Sequence, residues 1–95
     1  MLLGQKLKEL REKQGMMQRE IGAIIEVDGA LISKVENGEK PIKRDHLKKL
    51  SQFFKVSISE LETLWLADKI ERTFQEEKLG KAALELCYKQ YSKND

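Results

Sequence analysis

The strongest constraint on this chain is a series of short segments in which apolar residues recur every three or four positions, each closed by a turn-forming residue. That spacing has the period of one helix face and not the period of two that a half-buried strand shows. Leu3, Leu7 and Leu10 form the first such face, and Gly15 ends it. Met17, Ile21 and Ile24 recur in a second segment of about two turns, Gln18 to Ile25. Asp28 can cap a third by accepting hydrogen bonds from its first free N–H groups, with Ile32 and Val35 inward and Gly38 as the stop. Glu39-Lys40-Pro41-Ile42-Lys43 reads as a loop, because proline lacks a donor and turns its predecessor away from helix. A fourth segment directs Leu47, Leu50, Phe53 and Phe54 inward and ends near Lys55. Ser59 and Glu62 have capping-box spacing and open a longer stretch through Leu61, Leu64, Trp65, Ile70 and Phe74. After Gln75-Glu76-Glu77-Lys78, a last pattern carries Leu79, Ala82 or Ala83, Leu86 and Tyr91, with Gly80 weakening its first turn. With one proline and 36% charged residues, the chain is expected to be all-α.

Ninety-five residues suffice for one core and not for two. Charge is divided unevenly along that chain. Residues 1–56 hold 12 Lys/Arg against 8 Asp/Glu, a balance of +4, and residues 57–95 hold 6 against 8, a balance of −2. A basic front half suits a domain that meets a polyanion at one end. Cys87 is the lone cysteine, so no intramolecular disulfide or CxxC metal pair is available, and a reducing cytoplasm is the expected location. Its neighbours Leu86 and Tyr88 point to packing and not to thiol reactivity. The single histidine, His46, has no second ligand at metal-binding spacing, and no nucleophile motif such as G-x-S-x-G occurs. Neither an enzyme, a metal nor a cofactor is expected. No apolar run approaches the roughly 20 residues that span a bilayer, so no membrane association is expected.

Two short helices joined by a tight turn can set the second into the major groove of DNA, and Gly22 is small enough to let them cross closely. Gln18 to Ile25, followed by Val27-Asp28-Gly29-Ala30-Leu31-Ile32-Ser33-Lys34-Val35-Glu36-Asn37-Gly38, resembles the phage-repressor and Cro-like helix-turn-helix regulators, the XRE family. The resemblance covers about residues 3–61, and its most specific part is Ile32 to Gly38. Val56-Ser57 with Glu60-Leu61 matches the family's usual lead into a fifth helix. It implies a five-helix, repressor-like DNA-binding domain over residues 1–61, with residues 62–95 as a C-terminal helical extension.

The resemblance also implies roles. Gln18 would hold a backbone phosphate at the start of the second helix, where free N–H groups and the dipole favour an anion. Gly29, Ala30, Ser33 and Lys34 fall at groove-facing positions, with Lys34 the candidate for guanine O6 or N7. Asn37, Lys40, Lys43 and Arg44 would bind phosphates. Gly29 and Ala30 depart from the long polar side chains common there, which suggests a close approach with Ala30 or Leu31 against thymine methyl groups. Glu26 stands where many members carry glycine, and a left-handed backbone there would cost about 1–2 kcal/mol.

The extension is apolar on more than one face, and Leu64, Trp65, Ile70, Phe74, Leu79 and Leu86 are the expected dimerisation residues. A two-fold dimer would present two recognition helices about 34 Å apart to an inverted repeat of double-stranded DNA. Transcription regulation in prokaryotes follows from the resemblance, which includes phage repressors, restriction-modification controllers and antitoxins. The alternative is a protein-interaction module that masks a partner protein through its C-terminal helices.

Overall fold

A computed structural model describes residues 1–93, and every regular element among them is helical. The order is α1 (Leu2–Lys13), α2 (Gln18–Ile24), α3 (Gly29–Glu36), a 3₁₀ turn (Arg44–His46), α4 (Leu47–Phe54), α5 (Ile58–Phe74) and α6 (Gly80–Lys93). Asp28 Oδ1 accepts from the Leu31 N–H at 2.8 Å, so the expected cap of α3 is in place. The same helix ends in a Schellman arrangement, with the Gly38 N–H donating to Val35 O and the Glu39 N–H to Lys34 O at 2.8 Å. That closure needs Gly38 at φ 77°, in the left-handed region glycine tolerates.

The core consists of Leu3 and Leu7 of α1, Ile21 and Ile25 around α2, Ile32 and Val35 of α3, Ile42 of the following loop, Leu47, Leu50 and Phe54 of α4, and Leu61 of α5. All of these fall between residues 3 and 61. Each full burial of such a side chain contributes about 1.5–3 kcal/mol, so this cluster supplies the main drive to fold. α5 nevertheless runs unbroken past Leu61, so the core and the extension share a helix with no linker between them.

Several local expectations need correction. Phe53 is exposed, because the inward face of α4 is Leu47, Leu50, Ser51 and Phe54, and position 53 lies off that face. Its ring packs edge-on against Phe54 instead, with centroids 5.1 Å apart. Met17 is exposed as the residue before α2, and its N–H donates to Glu20 Oε1 at 2.8 Å. No Ser59–Glu62 capping box forms. α5 begins two residues earlier, after Ser57, and Ser59 O accepts from Thr63 Oγ1 while Glu62 pairs with Arg44.

The N-terminus of α1 has no cap from its own residues. Asp68 of α5, only 5% exposed, accepts from the Leu2 N–H at 2.8 Å and the Leu3 N–H at 3.0 Å. A carboxylate at a helix N-terminus satisfies free donors and complements the dipole, so this contact fastens α1 to α5.

Candidate nucleic-acid interface

α2 and α3 meet across a turn in which Glu26 adopts φ 60° and the Val27 N–H donates to Gly22 O at 2.8 Å. The left-handed backbone expected at this position is therefore present without glycine. A side chain at Gly22 would run into the Val27 carbonyl, which explains the need for a small residue at this crossing. Gly29 plays a comparable part: a Cβ there would stand 3.1–3.3 Å from the Arg19 backbone and Cβ. Gly29 thus lets α3 approach the first turn of α2, and it carries no side chain that could reach a base.

α3 buries Ile32, Val35 and Glu36 and exposes Ala30, Lys34 and Asn37. The exposed residues recur at helical spacing, so they form one outward strip, with Ser33 half-buried at its edge. Leu31 is half-buried and packs against the core, which withdraws part of it from that strip. Beyond α3, Lys40 and Lys43 are exposed in the loop to the 3₁₀ turn. Arg44 is also exposed, but its Nε donates to Glu62 Oε2 at 2.7 Å.

Gln18 is held by a network that the sequence reading missed. Arg11 Nε and Nη2 donate to the two carboxylate oxygens of Glu36 at 2.7 and 3.0 Å, and Arg11 Nη1 donates to Met16 O at 2.8 Å. Gln18 Nε2 donates to Glu36 Oε1 at 3.1 Å, so the side chain expected to meet phosphate is oriented by a carboxylate. The Glu36 side chain is 2% exposed, and a bidentate pair of this kind fixes angle as well as distance. The hydrogen bond to Glu36 raises the Arg11 pKa above its ordinary value against the opposing effect of burial. Because Arg11, Gln18 and Glu36 belong to α1, α2 and α3, one cluster sets the angles among the three helices.

Arg19 is a further candidate for phosphate contact. It lies exposed in the first turn of α2, next to Gln18 and against Gly29 of α3. Its position one residue after Gln18 at a helix start was the available signal. Among the described residues, Arg19, Lys34, Lys40 and Lys43 make no ion pair, while Lys6 and Lys8 pair with Glu60 and Glu12. These four unpaired cations lie on α2, α3 and the loop that follows them, and other unpaired lysines and arginines are spread over the remaining helices.

The residues expected at a dimer seam divide into groups. Leu64 and Trp65 pack against the chain's own core, Ile70 is exposed, and Phe74 is half-buried. Leu79 and Leu86 are exposed, but by helical period Leu86 lies on the side of α6 opposite Leu84. Leu84 lines an open apolar crevice with Ala67, Ile70 and Phe74 of α5, and an adjoining recess includes Ala83 and Cys87.

Two adjacent helices with a tight turn, the second presenting a polar outer strip beside unpaired cations, define a helix-turn-helix protein. The sequence model of the helix-turn-helix family matches residues 7–61, and the chain belongs to that family in its XRE-type form. It is similar to Control protein C.MunI of Mycoplasma sp, with 37% identity over 59 residues, which is 61% of this chain and 80% of that protein. No solved structure matches it. The chain is accordingly a DNA-binding transcriptional regulator. No helix among the described residues is long and apolar enough to cross a membrane.

Proposed function

We propose that the chain binds an inverted-repeat operator as a homodimer, each copy laying α3 in a major groove. The observation that carries this reading is the division of α3 into a buried face of Ile32, Val35 and Glu36 and an exposed strip of Ala30, Lys34 and Asn37. Lys34 reads guanine by donating to O6 or N7, Ser33 adds a polar contact, and the methyl of Ala30 with the exposed part of Leu31 meets thymine methyl groups. Short side chains at the start of α3 favour close insertion. Gln18, Arg19, Asn37, Lys40, Lys43 and Arg44 hold phosphates and set the register. Occupation of the operator then blocks or recruits polymerase, in keeping with a relative designated a control protein.

Residues 1–61 act as the DNA-binding domain and residues 62–95 as the dimerisation segment. Ile70 and Phe74, with Leu84 across the crevice, form the centre of the seam in this reading. Two copies supply affinity that one two-turn helix lacks, and the symmetry of the protein is matched by that of the site. Sedimentation of the unaltered protein and of Ile70→Glu, paired with duplex binding across a salt series, tests this. The unaltered protein should sediment as a dimer and lose affinity steeply as salt rises. Ile70→Glu should keep its helical content, sediment as a monomer and bind duplex more weakly. A monomeric unaltered protein, on and off DNA, contradicts the dimer and favours a partner protein at the C-terminal helices.

A further inference from the structure

Trp65 lies one turn beyond the last core residue of α5, half-buried against the core. Its indole N–H donates to the carbonyl of Ile42 at 2.8 Å. The Arg44 guanidinium carbon lies 5.3 Å from the ring centroid, and Lys69 Nζ lies 5.4 Å from it. Ile42 itself is 3% exposed, so its side chain anchors in the core while its carbonyl is held by the indole. The residues on either side of this anchor are Lys40, Lys43 and Arg44, the cations assigned to phosphates. Glu62, one turn before Trp65 on α5, completes the arrangement by accepting from Arg44 Nε at 2.7 Å.

We propose that Trp65 is a positioning residue for DNA binding: it clamps the loop after the recognition helix so that Lys40, Lys43 and Arg44 meet the phosphate backbone in register. The proposal rests on the assignment of those three cations to phosphates. A loop closed at both ends by helices still has internal freedom, and ordering it on DNA would subtract from affinity. A hydrogen bond to the loop's own backbone and a cation held over an aromatic face remove that freedom in advance. The consequence is a link between the helix that carries the dimer seam and the loop that grips the backbone.

The test compares the unaltered chain with Trp65→Phe, which keeps an aromatic face and removes the N–H donor, and with Trp65→Leu, which removes both. Amide hydrogen exchange reads the clamp without DNA. In Trp65→Phe the amides of Lys40, Ile42, Lys43 and Arg44 should exchange faster, while those of Ile21, Ile25, Ile32 and Val35 keep their rates. Duplex affinity should fall about five- to tenfold, as the loss of one such hydrogen bond implies. The slope of log affinity against log salt should become shallower by about one, the sign of a lost phosphate contact, with sequence preference unchanged. Trp65→Leu should go further in the same direction.

Unchanged loop exchange and affinity in Trp65→Phe overturn the proposal. So does a uniform rise in exchange through α2 and α3, which would make Trp65 a core prop, or a shift from dimer to monomer, which would place it at the seam. If the unaltered protein fails to bind any duplex, the phosphate assignment fails. The exchange experiment alone then decides whether the clamp exists.

Discussion

Glu26 holds the turn between α2 and α3 with a backbone that glycine adopts more easily, at φ 60°. Its side chain is exposed, so replacement removes no packed group. Relief of left-handed strain, reduced by the greater freedom of glycine in the unfolded chain, gives an expected gain of up to about 1 kcal/mol for Glu26→Gly. Thermal unfolding should show this as a midpoint raised by at most about 4–8 °C, and an unchanged or lowered midpoint would mean that the surroundings already favour the strained turn. The departure from glycine was legible through the family resemblance, in which many members carry glycine at this position. Asp68 was not legible. It lies in the middle of an amphipathic helix, and its partners Leu2 and Leu3 are 66 and 65 residues away, so only the folded chain reveals a cap.

The same contrast holds among the helices. Apolar spacing located the interior of α1 to α4 because a helix face repeats on a scale of three or four residues. It misjudged Phe53, since adjacent phenylalanines stand about 100° apart on a helix and local sequence does not choose which of them lies nearer the core. The start of α5 was misplaced for a related reason: Ser57 and Ser59 are both plausible caps, and neither side chain makes a cap bond. Arg11, Gln18 and Glu36 read individually as surface charges and amides, yet they converge on one carboxylate. Replacing Glu36 by Gln leaves Arg11, whose side chain is 13% exposed, with only the exposed Glu12 at 3.9 Å as a counter-charge. Breaking a buried pair in this way typically costs about 3–5 kcal/mol, and urea unfolding should register a loss at the lower end because the amide keeps one acceptor. A loss below about 1 kcal/mol would show that solvent compensates Arg11.

At the scale of the molecule, residues 3–61 bury the core and carry the cationic side, while the rest of α5 and α6 leave an apolar crevice uncovered. Residues 81–93 are exposed throughout, and an isolated helix of this length is marginal in water. In the proposed dimer, a second copy covers the crevice and orients two recognition helices together. The sequence signalled an apolar extension with Leu86 as a dimerisation residue, and Leu86 is exposed; that Leu84 is the residue facing α5 depends on how α6 leaves the turn at Gly80, which periodicity does not contain. The most direct measurement is selection of retained duplexes from a random pool, with the unaltered protein and Lys34→Ala compared at two salt concentrations. An inverted repeat with half-site centres about 34 Å apart, and loss of preference at one position per half-site in Lys34→Ala, is the expected result. Retention without enrichment, or a preference that Lys34→Ala leaves intact, would contradict sequence reading by α3.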